Sequence, residues 1–212
     1  MDHSVLAPLL SDYGLTVSGI VPIEANDGLP EWGSLLLISP IDGAFWRIFQ
    51  TSPEFSDNHS DPVDRWSQRI ISQIADQIGG QAIFPFQGPP FYPFYDWAVR
   101  SGRATASPIN LLCHDEAGLF VSYRGAIAVP EQRPAAPQIS PCRTCDAPCK
   151  TACPIDAFAT GVCDVDLCKA YLRQPDGQDC MKNGCRARRA CPVGAALRPT
   201  DMSAYFMTEF LK

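Results

Sequence analysis

The spacing of apolar residues over positions 1–129 predicts a domain of mixed helices and strands. Leu15–Ile23 alternates between apolar and polar positions as a strand does, and Ser34–Ser39 is apolar enough for a central strand. From 61 to 78 the apolar residues recur on one face of a helix. Asp61-Pro62 supplies a cap and a proline at the first helical position.

Shorter elements complete this domain. The pattern predicts a short helix over Ala44–Phe49, a strand at 81–84 and an aromatic-rich helix over 91–101. Two further strands, Ile109–Cys113 and Leu119–Val129, flank the turn sequence HDEAG and predict a β-hairpin. These elements together predict an α+β fold.

A proline-rich segment separates this domain from the rest of the chain. Residues 130–141 hold four prolines and predict a linker to a second domain at 142–212. The second domain has few large aliphatic residues and is too small to be stabilised by core burial alone. Bound metal would supply the missing stability, because the free energy of ligation becomes free energy of folding.

Charge and hydropathy narrow the classes of function. Residues 1–141 contain no lysine and have a formal charge of −8, which argues against nucleic-acid binding there. No apolar run approaches the roughly 20 residues of a membrane span, and the first residues lack the basic segment of a secretory signal. We therefore expect a cytoplasmic protein with no membrane partner.

Cysteine is the unusual residue of this sequence. Ten cysteines are present, and nine of them lie between Cys142 and Cys191. A disulfide scaffold would account for this density in a secreted chain, whereas in a reducing cytosol the same density indicates metal binding.

The main motif is Cys142-x2-Cys145-x3-Cys149-x3-Cys153-Pro154. Bacterial ferredoxins use C-x2-C-x2-C-x3-C-P to hold 4Fe–4S clusters, so this motif has one extra residue in its middle gap. Three closely spaced thiolates wrap three corners of a cubane. The fourth cysteine, ahead of proline, is expected to start a helix and to point at the other cluster.

An internal repeat supports two clusters, because Ala152–Ala157 recurs as Ala190–Ala195 in the pattern A-C-P-[IV]-x-A. The repeat predicts that the two Cys-Pro cysteines are exchanged between clusters. The predicted ligands of the first cluster are Cys142, Cys145, Cys149 and Cys191. The predicted ligands of the second cluster are Cys153, Cys168, Cys180 and Cys185.

One cysteine of the nine is left over. We predict that it is Cys163, because Cys168 opens an apparent helix and Cys185 follows the permissive Gly184. Whether Cys163 serves as a ligand in place of Cys168 or Cys180 remains open. Zinc is the alternative metal, but zinc sites usually come as paired C-x2-C knuckles without a cysteine–proline at the fourth position.

Four basic residues lie among the second-half cysteines: Lys182, Arg186, Arg188 and Arg189. Nearby cations would stabilise the reduced form of a negatively charged cluster and raise its potential. A solvated basic face is the alternative interpretation.

Two segments of the second domain, DVDLCKAYL (164–172) and NGCRARRACP (183–192), resemble the C-terminal part of epoxyqueuosine reductase, which carries two 4Fe–4S clusters. Arg188 stands where that family has a further cysteine, and Cys180 is the candidate substitute. Gly88-Pro89-Pro90 stands where the reductase has an acidic residue proposed to protonate substrate. This departure argues against the same reaction.

Residues 91–129 are similar to the segment that ends the cobalamin-binding domain of that reductase. They also resemble human-type cobalamin-processing proteins (the CblC type), as do Asp61–Asp64 and the stretch holding His114 and Arg124. The resemblance implies a flavin-reductase- or nitroreductase-like α+β domain followed by a small two-cluster bacterial-ferredoxin-like domain. It implies a corrinoid or flavin in the first domain, with His114 and Arg124 on the corrinoid or thiol side. A cross-strand ion pair is the alternative role of Arg124.

Two further sets of residues have both a functional and a structural interpretation. Cys113-His114 suggests a metal site, but a buried cysteine and a histidine beside a turn are more often structural. Aromatic residues near the predicted 91–101 helix could wall a planar cofactor, but core packing is the stronger interpretation. They are Phe84, Phe86, Phe91, Tyr92, Phe94, Tyr95 and Trp97.

These observations predict an iron–sulfur protein that receives electrons from a redox partner protein. The electrons would pass to a corrinoid, a flavin or a substrate held by the first domain. One alternative is a simple ferredoxin-like carrier whose first domain binds a partner. Another is a cobalamin-dependent reductase. The sequence identifies no catalytic residue, and an enzyme of this kind would be an oxidoreductase.

Overall fold

The protein is described by a computed structural model that covers residues 3–40, 42–195 and 199–212. Helices and strands are mixed along the chain, as an α+β fold requires. The strands are β1 Leu15–Pro22, β2 Ser34–Pro40, β3 Gln81–Ile83, β4 Ala104–Ala106, β5 Leu112–His114 and β6 Gly125–Val129. The helices are α1 His3–Ser11, α2 Asp42–Gln50, α3 Pro53–Ser56, α4 Pro62–Gln77, α5 Phe94–Arg100, α6 Val165–Leu172, α7 Gln178–Asn183, α8 Arg186–Arg189 and α9 Thr200–Leu211.

Residue contacts divide the chain into two units that are each discontinuous in sequence. The first unit is Met1–Arg103 with Ser122–Gln138, and the second is Ala104–Val121 with Ile139–Lys212. This division differs from the predicted domains. The segment 104–121 contributes β4 and β5 to the second unit, and most of the proline-rich segment belongs to the first.

Hydrogen bonds explain why the proline-rich segment is not a free linker. The Arg133 N–H donates to Ser34 Oγ at 2.7 Å, and the Ala136 N–H donates to the Ser101 carbonyl at 3.1 Å. Gly102, with φ of +79°, allows this approach, since a Cβ there would lie 2.0 Å from the Ala136 carbonyl oxygen. The segment therefore lies along the first unit.

The first unit is built on an antiparallel four-stranded sheet in the order β1-β2-β6-β3. The predicted strands over 15–23, 34–39 and 81–84 are confirmed as β1, β2 and β3. Strand β2 is buried along nearly its whole length, as its apolar run Ser-Leu-Leu-Leu-Ile-Ser predicts. Leu36 pairs with Ile20 on one side and with Ile127 on the other.

Helix α4 confirms the prediction for 61–78. Its buried face carries Trp66, Ile70 and Ile74, and Gly79 ends it with φ of +67°. Asp61 occupies the N-cap position with φ of +51°, and its side chain makes no capping hydrogen bond. Packing of the apolar face stabilises the helix more than its cap does.

The predicted hairpin of Ile109–Cys113 with Leu119–Val129 is wrong. A local turn does form, because His114 and Gly118 exchange backbone hydrogen bonds at 3.0 and 2.9 Å. Beyond it the two segments separate. Strand β5 pairs with β4, whereas β6 pairs with β2 and β3 at the centre of the sheet. Every residue of β6 is buried, which favours a central position.

The second unit contains short helices and 3-10 turns around two small cavities. Helix α9 packs against α7, and α6 contacts α7. Over residues 3–40, 42–195 and 199–212, no helix combines the length and the apolar character needed to cross a bilayer.

Candidate metal centres

Five cysteines of the second unit line one small cavity of about 20 Å³. Four of them are the predicted ligands of the first cluster, and the fifth comes from β5. Buried Ile109 and Leu119 pack in the same apolar cluster. We call these five residues the first cysteine group: Cys113, Cys142, Cys145, Cys149 and Cys191.

Two 3-10 turns place the closely spaced cysteines of this group. Within the first turn the Cys145 N–H donates to the Cys142 carbonyl at 3.4 Å. Ala147 then adopts a left-handed conformation, with φ of 53° and ψ of 50°, and its carbonyl accepts from the Lys150 N–H at 3.0 Å. Relative to a ferredoxin motif the extra residue lies in this gap, and the left-handed turn returns Cys149 to the cavity.

Five other cysteines line a second cavity, of about 290 Å³. Leu172 of α6 and Phe206 and Phe210 of α9 line it as well, so its walls are largely apolar. Four of the cysteines are the predicted ligands of the second cluster. We call the five residues the second cysteine group: Cys153, Cys163, Cys168, Cys180 and Cys185.

Each of the two cysteines that precede a proline lies in a different group from the cysteines nearest to it in sequence. Cys153 closes the first motif but lines the second cavity, and Cys191 follows the second-half cysteines but lines the first cavity. The A-C-P repeat predicts the same exchange for the ligands of two clusters, and that ligation stays a prediction. Each group therefore combines cysteines from both halves of the cysteine-rich segment.

No helix starts at Cys153, contrary to the sequence expectation. The chain after it forms consecutive turns in which the Asp156 N–H donates to the Cys153 carbonyl at 3.3 Å. Asp156 has φ of +49°, a left-handed conformation that interrupts a helix. Cys168 likewise does not open its helix, because α6 begins at Val165 after Asp164, whose Oδ1 accepts from the Leu167 N–H at 2.9 Å.

Backbone N–H groups point at two sulfur atoms of the second group. The Ala157 N–H donates to Cys153 Sγ at 3.4 Å. Burial raises the pKa of Cys180, and a hydrogen bond from the Arg186 backbone N–H opposes that effect. Such donors stabilise a thiolate relative to a thiol. They would favour metal-bound sulfur at these two positions.

The second group holds one cysteine more than a four-ligand site needs, and Cys163 is part of it. Burial raises the pKa of the Cys163 thiol, and nearby Cys185 and Cys153 raise it further. Burial also raises the pKa of Cys168 to about 12. Without a cation these thiols stay protonated at neutral pH, so metal binding would release protons. The choice of Cys163 as the unused cysteine remains a prediction.

The arginines between Cys180 and Cys191 hold the chain around the second cavity. Asp179 accepts from Arg186 Nε at 2.6 Å and also pairs with Arg189 Nη2. Arg188 Nε donates to the Leu119 carbonyl at 2.7 Å, and its guanidinium lies 4.5 Å from the ring centroid of Phe120. Hydrogen bonds from Arg186 and from Asn183 lower the pKa of Asp179 far below its usual range.

His114 and Arg124, assigned by resemblance to a corrinoid or thiol site, belong to different units. His114 is buried, and its Nδ1 accepts from the Glu116 and Ala117 N–H groups at 3.2 Å each, which fixes the local turn. Arg124 Nη1 lies 3.4 Å from Asp64 Oδ1, while Arg124 Nε is buried and has no hydrogen-bond partner among the residues that the structure describes. Burial lowers the pKa of Arg124 and raises the pKa of Asp64.

The aromatic residues near α5 divide between core and cavity. Phe84, Phe94 and Trp97 are buried in the core of the first unit. Phe86, Phe91 and Tyr92 line an open cavity of about 880 Å³ in the same unit, together with amide side chains such as Gln81. Core packing is thus confirmed for the first three residues, while the cofactor interpretation of the other three stays a prediction.

Sequence reasoning missed the place of Cys113. Its metal interpretation ranks below a structural one in the sequence, because a buried cysteine on a predicted hairpin strand is more often structural. The ten cysteines divide into five and five only when β5 joins the second unit, and no motif spacing signals that step. A scan against models of known protein families finds none that matches the chain, and no curated protein matches it either.

Proposed function

We propose that this chain is an iron–sulfur electron-transfer protein with one 4Fe–4S cluster at each cysteine group. The observation that supports it best is the placement of Cys153 and Cys191, which leaves at least four cysteines lining each cavity. Thiolate sets of this kind are typical of iron–sulfur clusters. The proposed ligands are Cys142, Cys145, Cys149 and Cys191 at the first group, and Cys153, Cys168, Cys180 and Cys185 at the second.

The two cavities fit a cluster to different degrees. A cavity needs about 10–15 Å³ to hold one water molecule, so the second cavity, at about 290 Å³, has room for a polynuclear group. The first cavity, at about 20 Å³, has to widen. Cys142 and Cys145 are partly exposed on short turns, so an outward shift of these turns would open it.

Each bound cluster would supply one-electron transfer. The protein groups around it would set its charge and its access to water. The Ala157 N–H and the Arg186 N–H would stabilise negative charge on sulfur in the second group. Apolar side chains such as Leu172 and Phe210 would limit the access of water.

We also propose that the first unit holds the electron acceptor, either a corrinoid, a flavin or a substrate. The support is the cavity of about 880 Å³, whose aromatic side chains Phe86, Phe91 and Tyr92 suit a planar group. A redox partner protein would supply the electrons. The alternatives are a carrier whose first unit binds a partner protein, and a cobalamin-dependent reductase.

Anaerobic purification followed by iron, sulfide, zinc and cobalt analysis tests this proposal. We expect about eight iron and about eight acid-labile sulfide per chain, since two 4Fe–4S clusters contain that number. The protein should be brown and should bleach with dithionite. Zinc without sulfide would contradict the proposal.

A further inference from the structure

Cys113 is the fifth cysteine of the first group, and the proposed cluster does not use it. Its side chain is 1% exposed. Strand β5, which carries it, lies beside the 3-10 turn Pro141–Thr144, which carries Cys142. The Cys113 thiol is in hydrogen-bonding contact with the sulfur atoms of Cys142 and Cys191. Close approach of the two cysteine side chains is the first condition for a disulfide.

We propose that Cys113 and Cys142 form a reversible disulfide when the first cysteine group holds no metal and a peroxide is present. Hydrogen peroxide oxidises the Cys142 thiol to a sulfenic acid and releases one water. The Cys113 thiol then attacks the sulfenic sulfur, and a second water leaves as the S–S bond forms. The two thiols lose two electrons and two protons, which reduce one peroxide to two waters.

Exposure and contact select Cys142 as the partner. Cys142 is partly exposed, whereas Cys191 is 8% exposed, so a dissolved oxidant reaches Cys142 more readily. The Cys113 thiol donates a hydrogen bond to Cys142 Sγ. Cys113 is therefore the thiol best placed to resolve a sulfenic acid at Cys142.

The disulfide would remove one proposed cluster ligand from the first group and would leave the second group intact. It would block rebuilding of the first cluster until a thiol reductant opened it. This consequence rests on the proposed function, whereas the disulfide itself does not. An experiment can therefore contradict the disulfide without contradicting the proposed function, and the reverse also holds.

Tryptic peptides test the disulfide directly, because trypsin separates the relevant cysteines. Cys113 lies on peptide 104–124, Cys142 on 125–143, Cys145 and Cys149 on 144–150, and Cys191 on the C-terminal peptide that starts at residue 190. The full chain as purified is treated with hydrogen peroxide in the presence of a chelator, checked by circular dichroism for retained structure, alkylated and digested without reductant. We expect mass spectrometry to find 104–124 joined to 125–143, and dithiothreitol to reverse the link.

Two controls separate a native link from random pairing. Oxidation in concentrated urea should instead join 125–143 to 144–150, because short loops close most easily in an unfolded chain. The variant Cys113→Ser should lose the 104–124 link and keep Cys142 open to alkylation after reduction. If folded wild-type protein joins Cys142 to 144–150, or Cys113 to the Cys191 peptide, the proposal is overturned.

Discussion

Arg100 donates hydrogen bonds to both carboxylate oxygens of Asp27, from Nη1 to Oδ1 at 2.7 Å and from Nη2 to Oδ2 at 3.1 Å. Trp97 Nε1 also donates to Oδ1 at 2.7 Å. Asp27 is 6% exposed, so this charge is buried and paired. The contacts join the turn that follows β1 to α5, within the first unit.

Replacement of Asp27 by asparagine should destabilise the protein, because it leaves the Arg100 guanidinium without its buried partner. We expect a loss of about 3 kcal/mol in the free energy of unfolding at pH 7, the usual cost of breaking a buried pair. Urea denaturation followed by tryptophan fluorescence measures it. The exposed residue Asp76 offers a matched control, and Asp76→Asn should leave the midpoint unchanged.

The Asp27–Arg100 pair also predicts that the free energy of unfolding depends on pH. Burial alone would raise the pKa of Asp27, but hydrogen bonds from Arg100, from the Glu24 N–H and from Trp97 outweigh it and lower the pKa below the ordinary 3.8. The stabilisation is therefore complete above pH 3.8 and is lost as the pH falls below it. The difference in free energy of unfolding between wild type and Asp27→Asn should become smaller in acid. A gap that is constant with pH would contradict an ionic role.

The exchange of Cys153 and Cys191 predicts opposite patterns of protection in two variants. Cys153→Ser should lose about half of the iron, from the second cluster, since a 4Fe–4S cluster needs four ligands. Thiol alkylation followed by digestion should then label Cys180 and Cys185, while Cys145 and Cys149 stay protected. Cys191→Ser should show the reverse. The same labelling pattern in both variants would argue against the exchange.

Cys163→Ser and Cys180→Ser form a matched pair within the second cysteine group. We expect Cys163→Ser to keep its full iron content and Cys180→Ser to lose about half, because only the second removes a proposed ligand. Iron analysis and electron paramagnetic resonance of the reduced proteins measure this. Equal loss in both variants, or loss in Cys163→Ser alone, would reverse the assignment.

The aromatic cavity of the first unit predicts binding of a planar cofactor. Titration with hydroxocobalamin or flavin mononucleotide should shift the visible spectrum of the ligand. Phe91→Ala should weaken the binding by roughly two- to tenfold, since an aromatic stacking contact contributes about 0.5–1.5 kcal/mol. Tyr95, which is exposed but does not line the cavity, provides the control variant Tyr95→Ala. No spectral shift with either ligand would favour the partner-binding alternative.

Elements that carry a complete local pattern were predictable from the sequence. Leu35–Ile38 is a run of four buried apolar residues, and Pro62–Gln77 repeats its apolar residues at helical spacing, so each specifies its own structure. The hairpin prediction for β6 is wrong although the HDEAG turn does form. Beyond that turn, burial of Gly125–Val129 between β2 and β3 outweighs local pairing.

The candidate sites show a similar limit. The A-C-P repeat predicted which cavity Cys153 and Cys191 would line, because a repeated motif implies equivalent positions. The presence of Cys113 in the first group follows from the path of residues 104–121, and that path depends on tertiary contacts such as the Arg188 bond to the Leu119 carbonyl. No local signal encodes it.

The discontinuity of the two units determines the outcome of proteolysis and of truncation. The polypeptide passes from one unit to the other at three places, near residues 103, 121 and 138. A protease that nicks the chain once within 130–141 would leave 104–121 joined to the first unit at both ends, so the C-terminal fragment would co-purify through its noncovalent packing against 104–121. A truncated gene encoding only 142–212 would lack β4, β5 and Cys113, so a recombinant iron–sulfur fragment should begin near residue 104 and omit 122–138.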